Sequence, residues 1–182
     1  HFNRVAATRR RQRERRLLRL RAVDAAGGGQ ISRQMRAPCR SGGRALRTDA
    51  RPVANVAFVC PVDRAISQFG AIARDQIYQA KGTHYTSAAL LADATTESRY
   101  GSGAFACLYL APYNYHRIHM PVTGRLTATR YVPGEFFSVN PATVRAVPGL
   151  FARNERVVCE FDTAIGPLAM VLVGALFVGS IE

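Results

Sequence analysis

The positive charge of this chain is concentrated at its amino-terminal end, and this separation constrains the fold more than any other feature of the sequence. Residues 1–51 hold 15 of the 25 basic residues and 3 of the 12 acidic ones, a net charge of +12, whereas residues 52–182 have a net charge of +1. A highly charged segment with little apolar surface does not offset the entropy cost of folding. The sequence therefore predicts a basic, disordered tail over 1–51 and one globular domain over 52–182.

The tail itself is compatible with several interpretations. A basic run is usually a solvated segment, but it also suits a nucleic-acid contact or an anionic lipid surface. Few aromatic residues are present to stack on bases, which makes nucleic acid an unlikely partner. Because the basic residues of the tail are all arginine, a misread GC-rich reading frame is a further interpretation.

The globular part is predicted to be an α+β domain, predominantly β, with antiparallel sheets in a single domain. Short apolar or alternating runs recur with a turn signal every ten or so residues, which is typical of strands. One run, 86–93, follows a Thr-Ser cap and is predicted to be helical. The predicted strands are 53–59, 65–69, 76–80, 104–110, 124–132, 156–161 and 168–178, with turns at 133–134 and 166–167.

Cysteine spacing and hydropathy indicate the redox compartment of the protein and whether a segment could span a membrane. Cys60, Cys107 and Cys159 lie in apolar runs and form no C-x-x-C pair, so we expect buried thiols in a reducing compartment. The longest apolar run, 168–181, is shorter than the ~20 residues of a spanning helix. No secretory signal or transmembrane helix is expected from the 182 residues, and a peripheral membrane association stays open.

Two histidines, His116 and His119, form a His-x-x-His pair that is the most chemically suggestive pattern in the chain. This spacing can place both rings on one face of a turn. A general acid–base pair, a metal pair and two structural histidines all fit the spacing. A metal site would need a third ligand such as Asp63 or His84, and nothing local demands one, so no metal is predicted.

Asp63 directly follows an apolar run, in the sequence Cys60-Pro-Val-Asp63. An acid at this position either caps a turn or orients a histidine, as the aspartate of a Ser-His-Asp triad does. The pattern identifies no nucleophile, although Ser67, Ser138 and Ser180 are candidates. The residues alone therefore predict a soluble β-rich domain with a possible Asp–His couple.

Beyond these separate features, a series of ordered motifs resembles the phosphatidylserine decarboxylase family over about residues 52–182. Three of them surround or follow the histidine pair: Tyr115-His-Arg-Ile-His-Met-Pro121, Tyr131-Val-Pro-Gly-Glu-Phe-Phe-Ser-Val-Asn140 and Leu150-Phe-Ala-Arg-Asn-Glu-Arg-Val157. The others match in the same order: Pro61-Val-Asp63, Ile66-Ser-Gln-Phe-Gly70, Gln79-Ala-Lys-Gly82, Phe161-Asp162, Gly166-Pro167, Val173-Gly-Ala175 and Val178-Gly-Ser-Ile181.

The resemblance implies a mechanism with a self-made cofactor. Such enzymes are proenzymes, in which a serine of a Leu-Gly-Ser-Thr motif cleaves the chain and becomes a pyruvoyl group. The resemblance places the family's triad aspartate on Asp63 and its triad histidine on His119. It places the second histidine, near the pyruvoyl and the substrate, on His116, where it would help to reprotonate the carbanion. The pyruvoyl group would form a Schiff base with phosphatidylserine and draw off electrons as CO₂ leaves, giving phosphatidylethanolamine.

Several residues depart from the family pattern. Arg64 follows Asp63 where the family has Gly, Thr83 replaces a common histidine, and Pro112-Tyr-Asn114 stands where Pro-Arg-Asp is usual. No Leu-Gly-Ser-Thr motif occurs in the 182 residues, so the pyruvoyl would arise from a serine beyond Glu182. We therefore expect this polypeptide alone neither to self-cleave nor to decarboxylate. A decayed, non-catalytic fragment and a basic nucleic-acid or anionic-surface binding module are the alternative functions.

The resemblance also implies partners and a location. The expected partners are phosphatidylserine, an anionic membrane surface, a C-terminal α chain that carries the pyruvoyl, and a second copy of the chain in a homodimer. The expected location is the cytoplasmic side of the cell membrane, as a peripheral protein. A metal-dependent hydrolase is a more distant alternative.

Overall fold

A computed structural model describes residues 50–51, 53–62, 66–80, 82–111, 114–176 and 178. Within those ranges the chain forms seven strands and four short helices, which confirms the predominantly β, α+β class. The strands are β1 (Ile66–Ala71), β2 (Gln76–Ala80), β3 (Thr83–Thr86), β4 (Ala104–Leu108), β5 (Gly124–Val132), β6 (Arg156–Thr163) and β7 (Gly166–Val173). The helices are α1 (Ser87–Leu91), α2 (Thr96–Tyr100), α3 (Pro141–Ala146) and α4 (Leu150–Arg153). None of these helices has the length and apolar character needed to cross a bilayer.

The strands form three antiparallel sheets, as the sequence predicts. Two of them are two-stranded, β1 with β4 and β2 with β3, and the third has the order β5-β6-β7. Nearly all of the predicted tail lies outside the described residues, so its prediction is not tested.

Strand β6 is the centre of the fold because it is buried on both faces. Successive side chains of a strand point to opposite faces of the sheet. One face of β6 presents Val157, Cys159 and Phe161 to an apolar cluster with Met120 and side chains of β5 and β7. The other face presents Val158 to a second cluster, whose buried members are Ile72, Ile77, Leu91, Tyr100 and Val158.

The second face of β6 also buries a carboxylate, Glu160, which is 3% exposed. Its Oε2 accepts a hydrogen bond from the Arg99 guanidinium at 2.7 Å and from the Tyr100 hydroxyl at 3.2 Å, and Arg130 lies 3.7 Å from Oε1. Burial, together with the nearby Glu160 charge, raises the pKa of Tyr100 to about 12. The carboxylate is therefore matched by cations and a neutral donor, as a buried charge must be.

Arg156, at the start of β6, ties two helices to the sheet. Its guanidinium donates to Ala89 O and Leu90 O of α1 at 2.7 and 2.6 Å, and to Ala152 O and Asn154 O at the end of α4 at 2.7 and 3.0 Å. These carbonyls lie in the last turns of the helices, where orphan acceptors and the negative end of the helix dipole favour a cation. Burial lowers the pKa of Arg156, and the four acceptors stabilise its charge.

The structure corrects the prediction of a strand over 53–59. This segment is irregular, and Val53, Val56 and Phe58 are 79%, 60% and 49% exposed. Its single backbone bond to another described segment runs from Val59 N to Pro121 O, at 2.8 Å. An apolar run becomes a strand only where a partner edge is available, so composition alone was misleading here.

Two further predictions about local structure are wrong. The turn predicted at 166–167 lies two residues earlier, at Ala164 and Ile165, and Gly166 and Pro167 belong to β7. Gly166 enters the strand with φ 112°, which only glycine adopts readily. The buried thiol predicted at Cys60 is exposed, although Cys159 is buried and Cys107 partly so.

Replacing Arg156 tests its role in the fold. Arg156→Met is expected to lower the free energy of unfolding by about 3 kcal/mol, since an unpaired buried acceptor costs about 1–3 kcal/mol and four are affected without full additivity. The free energy of unfolding of Arg156→Lys should lie between those of the wild type and Arg156→Met, because the lysine ammonium lacks the planar fork of the guanidinium. Urea unfolding followed by circular dichroism measures both.

The matched control is Arg145→Met, on the exposed side of α3. It should change the free energy of unfolding by less than about 0.5 kcal/mol. Equal losses in the Arg156 and Arg145 variants would contradict the assignment.

Candidate active site

The histidine pair lies in an irregular segment that is held by a short backbone ribbon. Val59 N donates to Pro121 O, and His119 N donates to Pro61 O, both at 2.8 Å. The two bonds pair residues 59–61 with 119–121 in opposite directions. This ribbon joins the segment that ends near Asp63 to the segment that carries His119.

Met120 fixes this segment to the main sheet. Its side chain packs against the cluster formed by Val157, Cys159 and Phe161 of β6. Met120 is partly buried there, and because His119 is its neighbour in the chain, this contact limits where the histidine backbone can lie. The position of the histidine is thus set by apolar packing as well as by the ribbon.

His119 lies against the ring of Tyr115. The two rings stack with centroids 5.7 Å apart and planes inclined by 19°. The Tyr115 hydroxyl lies 3.2 Å from His119 Nε2, within hydrogen-bond distance. Both the backbone and the ring of His119 therefore have defined partners.

His116 occupies a different environment, because it is 3% exposed. Its Nδ1 lies 2.6 Å from the carbonyl oxygen of Asn114. A carbonyl oxygen only accepts, so Nδ1 carries the ring proton and donates. Nε2 is buried and has no hydrogen-bond partner among the residues that the structure describes.

A buried nitrogen without a partner is costly in a folded protein, and such groups often mark functional sites. In the neutral ring, Nε2 of His116 offers a lone pair inside the protein. In the charged ring, the same atom offers a proton, while Nδ1 keeps its bond to Asn114 O. His116 is therefore built to exchange a proton at Nε2, which favours the acid–base interpretation of the pair over a structural one.

The turn before His116 is closed by Asn114. Asn114 Oδ1 accepts from Ala111 N and Asn114 N donates to Ala111 O, both at 2.9 Å. The resemblance implies Asp where this chain has Asn114, yet the contact to His116 uses the backbone carbonyl. The substitution thus leaves the bond that orients His116 in place.

The other predicted acid, Asp63, lies outside the described residues, as do Arg64 and Ser180. The described chain reaches Val62 and resumes at Ile66. Pro61, two residues before Asp63 in the sequence, is the residue whose carbonyl accepts from His119 N. The pairing of Asp63 with His119 stays a prediction.

The remaining candidates from the sequence have other partners. The Ser67 hydroxyl donates to Cys107 O across the β1–β4 sheet, and the Ser138 hydroxyl accepts from the Asn140 side chain. His84 is exposed on β3, with its Nδ1 3.2 Å from Gly82 O and its ring edge-on to Tyr78. Among the described residues no group of three or more metal-binding side chains occurs.

Sequence reasoning named Tyr115 only as part of a motif and missed its contact with His119. The two residues are four apart in a segment without regular structure, so no helical or strand period connects them. A tyrosine close to a histidine in sequence is the only available signal, and it is a weak one.

Comparison with known proteins gives a consistent picture. A family model described as phosphatidylserine decarboxylase matches residues 43–182. Proteins named phosphatidylserine decarboxylase proenzyme from Methylibium petroleiphilum, Polaromonas naphthalenivorans and an Azoarcus species are 64%, 63% and 64% identical over 138 residues. That alignment covers 75% of this chain and 49%, 48% and 48% of those relatives, so the chain spans about half their length.

Thiol accessibility tests the geometry around the ribbon. Cys60 is exposed beside Pro61, whereas burial raises the pKa of the Cys107 and Cys159 thiols. A raised pKa leaves less reactive thiolate at a given pH, so a thiol reagent should label Cys60 first. The labelling of Cys107 and Cys159 should accelerate only as the pH rises further.

The fourth cysteine, Cys39, lies outside the described residues and is replaced by serine so that only the other three thiols are followed. The measurement is mass spectrometry of this Cys39→Ser chain, sampled during labelling. Adding Cys60→Ser should remove the fast phase completely. Fast labelling of Cys159 in the folded protein would contradict the packing of β6.

Proposed function

Because this chain belongs to the phosphatidylserine decarboxylase family, we propose that its histidine segment provides the acid–base groups of a decarboxylase. The proposed reaction converts phosphatidylserine to phosphatidylethanolamine and CO₂, which makes the whole protein a carboxy-lyase. The observation that carries the proposal is that Nε2 of His116 is buried and has no hydrogen-bond partner in the described part of the chain. Loss of CO₂ leaves an electron pair on the substrate carbon, and a proton must be delivered there.

His116 is the proposed donor of that proton. Its Nδ1–H stays bound to Asn114 O, so the ring keeps its orientation while Nε2 gains or loses a proton. Burial of the ring at 3% exposure keeps bulk water from competing at this atom. The proton passes from Nε2 to the carbon, and the neutral ring takes up a replacement proton from solvent after the product leaves.

His119 is the proposed general base for chain self-cleavage, the step by which a proenzyme makes its cofactor. A serine hydroxyl is a weak nucleophile and needs an adjacent base to remove its proton. The ribbon, the stacked Tyr115 ring and the packing of Met120 hold His119 in one place, as this role requires. Asp63 is the proposed partner that orients His119 and stabilises its charged form.

A pyruvoyl group is the proposed cofactor, and His116 fits its site because no described residue occupies the buried ring nitrogen. When bound, such a group supplies an electrophilic carbonyl that accepts the electrons released from the substrate. The names of the relatives include the word proenzyme, which agrees with a self-made group. The Leu-Gly-Ser-Thr motif from which it would form does not occur among the 182 residues.

The proposed partners are phosphatidylserine, an anionic membrane surface, a C-terminal α chain and a second copy of the chain. The proposed location is peripheral, on the cytoplasmic side of the cell membrane. Support comes from large apolar side chains that are exposed to solvent. They precede or follow ribbon residues 59–61 in the sequence: Val53, Val56, Phe58, Ile66 and Phe69. Apolar surface together with a basic segment of net charge +12 suits an anionic bilayer.

Complementation with a relative tests the function. The C-terminal half of the Methylibium petroleiphilum relative is fused behind residue 182, and CO₂ release from carboxyl-labelled phosphatidylserine is measured in mixed vesicles. We expect self-cleavage on a gel and CO₂ release from the fusion. His119→Ala should abolish self-cleavage, and His116→Ala should leave it but slow CO₂ release by about 10²–10⁴-fold, the usual contribution of a general acid.

The control is His84→Ala, since this exposed histidine on β3 lies apart from the pair. It should leave both readouts unchanged. A fully active His116→Ala fusion would contradict the role of His116, and a self-cleaved fusion that releases no CO₂ would contradict the proposed reaction.

A further inference from the structure

We propose that Tyr115 is a positioning residue that sets the tautomer of His119, by donating its hydroxyl proton to Nε2 and leaving the ring proton on Nδ1. The use of that tautomer in catalysis rests on the proposed function, whereas the tautomer itself does not. The inference starts from the 3.2 Å separation of the Tyr115 hydroxyl and His119 Nε2 and from the stacking of the two rings.

The geometry leaves two arrangements of the hydrogen bond. A phenol hydroxyl both donates and accepts, and a neutral imidazole has one N–H and one lone pair. Either Tyr115 donates to a bare Nε2, or Nε2–H donates to the Tyr115 oxygen. The position of the heavy atoms alone does not distinguish them.

The acid–base properties of the two groups favour the first arrangement. A phenol hydroxyl is a stronger acid than a neutral imidazole N–H, and an imidazole lone pair is a stronger base than a phenol oxygen. A hydrogen bond is strongest when the better donor meets the better acceptor, so Tyr115 donates and Nε2 accepts. The remaining ring proton of His119 then lies on Nδ1.

The contact is held in place from three sides. The His119 amide donates to Pro61 O, Met120 is packed in the β6 cluster, and the ring of Tyr115 covers one face of the imidazole. A half-turn of the imidazole would keep the ring plane but replace Nε2 by a carbon opposite the Tyr115 hydroxyl, so the hydrogen bond selects the observed orientation. A fixed ring with a fixed donor at Nε2 populates one tautomer.

Both histidines of the pair then carry the proton on the same nitrogen. His116 has its proton on Nδ1 because Asn114 O accepts it, and His119 has it there because Tyr115 donates to the other nitrogen. A base that takes a hydroxyl proton at Nε2 and is oriented by an acceptor at Nδ1 needs this form. Tyr115 thus prepares this tautomer of His119 in advance, and because Nε2 has a single lone pair, the tyrosine gives up its hydrogen bond when the serine hydroxyl binds there.

The test is the ring nitrogen spectrum of the whole 182-residue chain, labelled with ¹⁵N and studied at a pH where the rings are neutral. Long-range ¹H–¹⁵N correlation separates protonated from bare ring nitrogens. In the wild type, Nδ1 of His119 should show the shift of a protonated nitrogen and Nε2 that of a bare one. In Tyr115→Phe, which keeps the aromatic ring, the His119 shifts should move toward the Nε2–H form that isolated histidines prefer.

The matched control is Tyr78→Phe, because Tyr78 also packs against a histidine, His84, through an edge-on ring contact at 5.4 Å. That variant should leave the His119 shifts unchanged. His116 is an internal reference, since its Nδ1–H should persist in every folded variant.

Two results would overturn the proposal: an Nε2–H form of His119 in the wild type, or His119 shifts in Tyr115→Phe identical to those of the wild type. If Tyr115→Phe fails to fold, the wild-type spectrum still decides. An inactive fusion in the CO₂ assay together with the expected shifts would reject the decarboxylase and keep the positioning role. An active fusion together with unchanged His119 shifts in Tyr115→Phe would reject the positioning role alone.

Discussion

The burial of β6 on both faces is the constraint on which the rest of the structure depends. Every residue from Arg156 to Phe161 is buried, so each face needs a complete covering. Apolar side chains find partners easily, since they are satisfied by any close-packed surface. The two charged residues on the strand, Arg156 and Glu160, are more demanding, because each needs specific partners at hydrogen-bond distance. Helices α1, α2 and α4 and the cations Arg99 and Arg130 are placed by that demand.

The same strand reaches the histidines through one apolar contact. Met120 belongs to the cluster on the opposite face of β6 from Arg156, and His119 is its neighbour in sequence. A disturbance of the central sheet would therefore reach the proposed base without any polar network between them. The rigidity of the site follows from the position of this segment against a fully buried strand.

Patterns that depend on the chain alone were predicted well. The period-two run over Gly124–Val132 is strand β5 with the predicted bounds, and Thr86 caps α1 by accepting from Ala89 N at 2.9 Å. Features that depend on a neighbouring strand, or on an element too short to show a period, were not predicted. The run over 53–59 has strand composition but lacks a neighbouring edge, and α3 is too short for a helical period although Asn140 and Pro141 mark its start.

For the candidate site, the sequence indicates the residues but not their surroundings. Spacing placed His116 and His119 together and left three functions open, because it carries no information about burial. The structure shows that their surroundings differ: His116 is buried, and one of its nitrogens has no partner among residues with described positions, while His119 stacks on Tyr115. The family resemblance pointed to both residues, whose catalytic roles stay predictions, and the fold supplies the physical difference between their surroundings.

The buried amide of Asn154 has a consequence for how this sequence can change. Its side chain donates to Phe137 O and Gly174 O and accepts from Phe137 N, at 2.8, 2.8 and 3.1 Å, and it is fully buried. An apolar core residue can be replaced by another apolar residue of similar volume at little cost. Aspartate has no donor for the two carbonyls, and glutamine is one methylene longer, so no other side chain reproduces this set of bonds. The position least free to vary in this part of the fold is therefore a polar one.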